Sequence, residues 1–167
     1  MLHRLSLLLL LCVTGSATAG IAVGEPMPAW QAHDAQGAPF EFVSGARERP
    51  VVVVFWATYC HYCKQLMTEL SKLTDEMGAK RPDVYAVAVY EHPGADPIAA
   101  LRQRGHDFTP VLEADAVAQR FGVQGTPALY FVDRSGKVRY HRMGVAQPGQ
   151  VAEELRTLLD EDALSRH

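Results

Sequence analysis

Pro50-Val51-Val52-Val53-Val54-Phe55-Trp56-Ala57-Thr58-Tyr59-Cys60-His61-Tyr62-Cys63 is the stretch on which the fold turns. Its first half is β-branched and apolar on both faces, the pattern of a central strand covered on both sides. Beyond Cys63 the period changes. Leu66, Met67, Leu70, Leu73 and Met77 recur at helical spacing from Lys64 to Met77, and Gly78 is a natural stop. The two cysteines therefore stand where a buried strand hands over to an amphipathic helix.

Outward from this junction the chain alternates. Ile21 to Arg49 is punctuated by Pro26, Pro28, Gly37, Pro39 and Gly45 and reads as loops with short strands at most, such as Pro39 to Val43. Val84 to Tyr90 is a second buried strand. Asp96 to Arg104 reads as a helix, Val111-Leu112 as a short strand, and Asp115 to Phe121 as a helix stopped by Gly122. Ala128 to Val132 and Lys137 to Arg142 form a hairpin about the turn Asp133-Arg134-Ser135-Gly136. Pro148 to Leu159 closes the chain as an amphipathic helix with Val151, Leu155, Leu158 and Leu159 on one face. This order implies an α/β sandwich around a mixed sheet.

The chain has 167 residues, of which 48% are apolar and 21% charged, which suits one globular domain. The net charge of -3 is mild, and no basic run points to nucleic acid. Residues 1–19 read as a signal peptide: His3 and Arg4, then the apolar Leu5 to Val13, then Ala17-Thr18-Ala19 as a cleavage signal. The apolar run is shorter than the roughly 20 residues that an anchor needs. Cys12 follows Leu9-Leu10-Leu11 rather than a small residue, so it does not fit a lipidation motif. The remaining divisions are an N-terminal extension over residues 20–49, a core domain over 50–160 and a tail over 161–167. The expected location is periplasmic or otherwise exported.

Export leaves two cysteines, Cys60 and Cys63, in a compartment where disulfides persist. A bridge across three residues closes too small a loop to staple a fold. The pair is better suited to chemistry. A cysteine at a helix N-terminus faces unpaired N–H groups and the positive end of the helix dipole, which stabilise a thiolate. Its neighbour almost one turn on can resolve a mixed disulfide. Cys60 is assigned as nucleophile and Cys63 as resolving thiol, together a redox-active disulfide. A protonated His61 would stabilise the Cys60 thiolate and make the pair more oxidising; an exposed loop histidine is the plainer alternative. His61 and Tyr62, as the two residues between the cysteines, tune the redox poise, and Tyr62 reads as contact surface or packing rather than a proton donor. Zinc sites also use C-x-x-C, but His33, His61, His92, His106, His141 and His167 show no finger spacing, so neither a metal nor a cofactor is expected.

Phe55 to Lys64 resembles the active-site segment of the thioredoxin superfamily. Thr126-Pro127 is similar to its cis-proline loop, Asp133 to Val138 to its β-hairpin, and Gly144 to the glycine that follows. The resemblance runs from Pro50 to Leu159. Val23-Gly24-Glu25-Pro26-Met27-Pro28 and the stretch from Glu91 to Phe121 resemble the start and the inserted helix and strand of the exported TlpA/ResA-like thiol-disulfide oxidoreductases. The resemblance implies a thioredoxin fold: a mixed central sheet flanked by helices, with an N-terminal extension and a helix/strand insertion after the second core strand. It implies that Trp56, Thr126 and Pro127 bind substrate, with a cis bond at Pro127 that offers the Thr126 backbone to an extended segment. It also makes Glu91 a candidate general acid/base for Cys63; a solvated strand-end glutamate is the alternative. Thioredoxin's buried aspartate is replaced by Val54, and His61-Tyr62 is neither the proline-containing pair of reductants nor that of the strong oxidant.

The expected partners are exported protein thiols or disulfides and a membrane thiol-disulfide electron donor, with the chain a monomer. Many members of the resembled group are reductants, some serving cytochrome c maturation. A thiol oxidase or isomerase is the alternative. A third reading is a copper-handling protein that binds Cu(I) through Cys60, Cys63 and His61.

Overall fold

The computed structural model describes residues 20–147 and 149–164. The segment read as a signal peptide, with Cys12 in it, lies outside the described residues, as do Pro148 and residues 165–167. Among the described residues no helix is long and apolar enough to cross a membrane.

The opening strand lies at the centre. Two short strands come first, β1 (Trp30–His33) and β2 (Pro39–Phe42), then β3 (Val51–Trp56). All six residues of β3 are fully buried. Its parallel neighbour is β4 (Asp83–Ala88), from Val51 opposite Asp83 to Trp56 opposite Ala88. Its antiparallel neighbour is β6 (Ala128–Val132). With β5 (Thr109–Val111) and β7 (Val138–Met143), the sheet order is β5-β4-β3-β6-β7. Helices α1 (His61–Met77), α2 (Pro97–Gln103), α3 (Asp115–Arg120) and α4 (Gln150–Leu164) connect and close it.

Alternation along β3 feeds two cores. Val52, Val54 and Trp56 pack with Leu66, Met67 and Leu70 of α1, Leu101 of α2, and Val151, Leu155 and Leu158 of α4. Val51, Val53 and Phe55 face the opposite core, with Val117 and Phe121 beside α3 and Met27, Trp30 and Phe42 of the N-terminal extension. Each such aliphatic side chain contributes about 1.5–3 kcal/mol when fully buried.

Several elements differ from the sequence reading, and four of the differences have a physical reason on view. Helix α1 begins at His61 rather than Lys64, because Cys60 itself caps it. Strand β4 stops at Ala88 because Tyr90 turns into the left-handed region, φ 55°. Helix α4 runs to Leu164, past the last leucine of its apolar face, because the buried Asp162 accepts a 2.9 Å hydrogen bond from Arg134 Nε. The extension holds β1 as well as β2. Trp30 stacks on Phe42 with centroids 5.2 Å apart, and Asp34 Oδ1 holds the turn by accepting from the Gln36 and Ala38 amides.

The β6–β7 turn is wedged against the extension. Gly136 has φ 86°, and a Cβ there would lie 2.6 Å from the Gly45 carbonyl oxygen. Gly136→Ala meets both a left-handed backbone and a backbone clash. It is expected to cost more than about 1–2 kcal/mol, read as a lowered midpoint in thermal unfolding followed by circular dichroism.

Candidate active site

The end of β3 delivers the chain to the head of α1. Ala57 to Cys60 make a turn in which the Cys60 amide donates to the Ala57 carbonyl at 3.1 Å. Cys60 is the N-cap of α1, with extended backbone, and its Sγ accepts the Cys63 N–H at 3.1 Å. The first turn of α1 carries no acidic residue to offset the helix dipole. Cys60 and Cys63 are joined as a disulfide, with Cα atoms 5.2 Å apart. Cys60 keeps 8% of its surface exposed, whereas Cys63 has none. An incoming thiolate or disulfide therefore meets Cys60 first.

A second segment faces the pair. The Thr126–Pro127 bond is cis, and the Thr126 carbonyl oxygen lies 3.6 Å from Cys60 Sγ. The Pro127 carbonyl accepts from Gly144 N–H at 2.8 Å, which places the segment after β7 alongside. Tyr59, Tyr62, Met143 and Val145 are the exposed large side chains of these segments, 43–53% accessible.

The loop before Cys60 is tied to the end of β4. Thr58 donates twice to Glu91: its N–H to Oε1 at 2.8 Å and its hydroxyl to Oε2 at 2.6 Å. The Tyr59 hydroxyl donates to the Tyr90 carbonyl at 3.1 Å, and the Tyr59 ring packs 4.3 Å from that of His92. Tyr90 is itself pinned at φ 55°. Its N–H donates to Asp115 Oδ1 at 2.8 Å and its hydroxyl to the Val123 carbonyl at 2.6 Å. Burial, and then the Asp115 carboxylate, raise the Tyr90 phenol above its ordinary value, so it stays protonated as a donor. A left-handed tyrosine persists only where its surroundings over-determine it. Here it aims Glu91 back at Thr58.

These contacts place the residues expected from the sequence. Glu91 is half-buried, with both carboxylate oxygens engaged by Thr58. His61 and Tyr62 are exposed in the first turn of α1, and His61 Nε2 shares a 3.2 Å hydrogen bond with Gln65 Nε2. Thr126 is half-buried and Pro127 buried against the pair. Trp56 corrects the sequence reading. It has no exposed surface, because β3 buries both its faces, so its side chain forms part of the floor rather than a substrate contact. Val54 is buried in the same apolar cluster as Cys63. Among the described residues no three His, Cys, Asp or Glu side chains converge as a metal site. Sequence reasoning missed Thr58, Tyr90 and Asp115. Thr58 stood inside the cysteine motif, two residues before Cys60, and that was its one signal; positive φ at a tyrosine leaves none.

Three comparisons agree with this geometry. The thioredoxin-like domain profile matches residues 42–159. The thiol-disulfide oxidoreductase ResA of Geobacillus thermodenitrificans is 24% identical over 139 residues, 83% of this chain and 79% of that protein. The thiol:disulfide interchange protein DsbE of Pseudomonas aeruginosa is 28% identical over 147 residues, 83% of this chain and 78% of its own length. Among solved structures, a putative thioredoxin from Neisseria meningitidis superposes with a TM-score of 0.63 at 28% identity, over 92% of this chain and 98% of that one. A buried strand, a cysteine-capped helix and a facing cis-proline loop thus converge with the sequence matches. The chain belongs to the thioredoxin-like domain family, and it is a thiol-disulfide oxidoreductase with Cys60 and Cys63 as its cysteine pair.

Proposed function

We propose that the protein is an exported reductant of specific protein disulfides, in the manner of the cytochrome c maturation reductants, with Cys60 attacking and Cys63 resolving. The observation that carries the assignment of roles is the asymmetry of the pair. Cys60 is the less buried cysteine, at a helix N-terminus, and Cys63 is fully buried behind it. In the forward step the Cys60 thiolate bonds to one substrate sulfur and expels the other as a thiolate. Cys63 then attacks Cys60, and the second substrate thiolate leaves. Two electrons pass to the substrate, and the Cys60–Cys63 disulfide returns to a membrane thiol-disulfide donor for reduction. The chain works as a monomer, after removal of residues 1–19.

Tyr59, Tyr62, Met143 and Val145 put exposed apolar surface beside the pair, which suits a substrate segment with apolar flanks. Thr126 offers backbone beside the pair, where an extended segment can lie. The oxidase or isomerase reading draws on one observation. His61 is exposed beside Cys60 with no carboxylate in the first turn, and its protonated form favours the thiolate. A reduction potential near about -270 mV supports the reductant, and one near about -120 mV the oxidant.

Cys63→Ser leaves the attacking sulfur and removes the resolving one. Expressed in the exporting cell, it is expected to accumulate mixed disulfides with its partners, while Cys60→Ser accumulates none. Absence of adducts on Cys63→Ser overturns the roles.

Glu91→Gln separates proton transfer from loop anchoring. The amide oxygen still accepts from Thr58 N–H, and the NH2 group donates to the Thr58 hydroxyl, so the anchor survives. Resolution of a preformed mixed disulfide is expected to slow by about 100-fold, with the initial attack by Cys60 unchanged, both read by stopped-flow fluorescence. Equal rates with wild type in both steps leave Glu91 as an anchor alone.

A further inference from the structure

Arg104 comes off the inserted helix towards the same loop. Helix α2 opens on Asp96, which caps the Ala99 N–H at 2.9 Å, and on Pro97 at its first position. It closes in a Schellman turn. Gly105 lies at φ 69°, His106 N–H donates to the Leu101 carbonyl, and Gly105 N–H donates to that of Arg102, each at 3.1 Å. Leu101 is buried in the core shared with Trp56, Cys60 and Cys63, and Arg104 follows three residues later on the same face.

The guanidinium reaches the active-site loop. Its Nη2 lies 3.4 Å from the Thr58 carbonyl oxygen, and its central carbon sits 5.7 Å from the Trp56 ring. Its Nη1 is buried with no hydrogen-bond partner, and among the described residues no carboxylate lies within ion-pairing distance of it. His106 beside it adds no positive charge at neutral pH: burial, and then the Arg104 cation, lower its imidazole below the ordinary range. The other titratable side chains around the loop are Glu91 beyond β4, His92 against Tyr59, and His61 and Lys64 in the first turn of α1. Glu91 is the one that opposes a thiolate. It grips Thr58 through N–H and hydroxyl while Arg104 grips the same residue through its carbonyl.

We propose that Arg104 is a positioning residue for disulfide exchange, which pins Thr58 from the inserted helix and holds an unpaired positive charge beside the turn that carries Cys60. The proposal rests on Cys60 and Cys63 being the redox pair. With the charge in place the reduced pair is stabilised as a thiolate. Without it the disulfide is favoured.

The test is redox titration against glutathione, with the pH profile of Cys60 alkylation, on wild type, Arg104→Ala, Arg104→Gln, Arg104→Lys and Arg102→Ala. Arg102 is exposed on the same helix and controls for net charge. Arg104→Ala and Arg104→Gln are expected to shift the equilibrium towards the disulfide by about three- to tenfold and to move alkylation to higher pH. Arg104→Lys is expected to recover most of that shift, and Arg102→Ala to match wild type. Arg104→Gln serves should the alanine variant fail to fold. The proposal is overturned if Arg104→Gln matches wild type, if Arg104→Lys behaves as the glutamine variant, or if Arg102→Ala shifts equally. A wild-type chain that does not exchange with glutathione would instead remove the redox reading beneath it.

Discussion

Everything at this site depends on a sulfur taking the place of a helix cap. Helix N-termini usually satisfy their free N–H groups with Ser, Thr, Asp or Asn oxygens. Here Cys60 Sγ accepts from Cys63 N–H, so the residue that caps α1 is also the more accessible cysteine of the pair. The cap fixes where the reactive atom sits relative to the helix dipole. Strand β3 fixes where the helix starts, because all six of its residues are locked between two cores. A shift of β3 by one residue would exchange the faces of Val53 and Val54 and move the cap with them.

The second dependence is polar. In the loop between Trp56 and Cys60, Ala57 is buried in the core and Thr58 is tied by polar contacts. Its N–H and hydroxyl are turned to Glu91 and its carbonyl to Arg104. Hydrogen bonds to charged groups are worth about 1.5–3 kcal/mol each, enough to order a three-residue loop. Both partners come from the segment that begins after β4. The left-handed Tyr90, held by Asp115 and Val123, aims the first of them. The insertion is thereby part of the active-site scaffold.

How much of this was legible follows from which physics carries each element. Strand β3, helix α1 and the hairpin about Gly136 are written in apolar period and turn chemistry, and the sequence reading found them within a few residues. The cysteine pair was legible from its spacing and its place at the start of a helix, and the Thr126–Pro127 loop as a resemblance. What escaped depends on particular side-chain contacts. Strand β1 pairs with β2, and Trp30 stacks on Phe42 across that pair. The last turn of α4 rests on Asp162 meeting Arg134. Trp56 was misread because its place in the cysteine motif suggested contact with substrate, whereas the register of β3 buries it. Thr58 and Arg104 lie 46 residues apart, and no local period connects them.

These placements bear on which way the electrons move. A C-x-x-C bridge closes so small a loop that it adds little to stability by restricting the unfolded chain. The potential of the pair is therefore set by how the fold treats its two reduced sulfurs. Any group that stabilises a thiolate in the folded state favours the dithiol and makes the pair oxidising; any group that opposes charge favours the disulfide and makes it reducing. The N-terminus of α1 and Arg104 act in the first sense, and a protonated His61 would add to them. Glu91, the complete burial of Cys63 and the apolar Val54 in its cluster act in the second. The dipeptide between the cysteines is one contribution among these. The inserted segment supplies one group on each side, Glu91 and Arg104, both bound to Thr58. A chain can thus move its potential in either direction through the insertion, with the cysteines and the helix they cap left as they are.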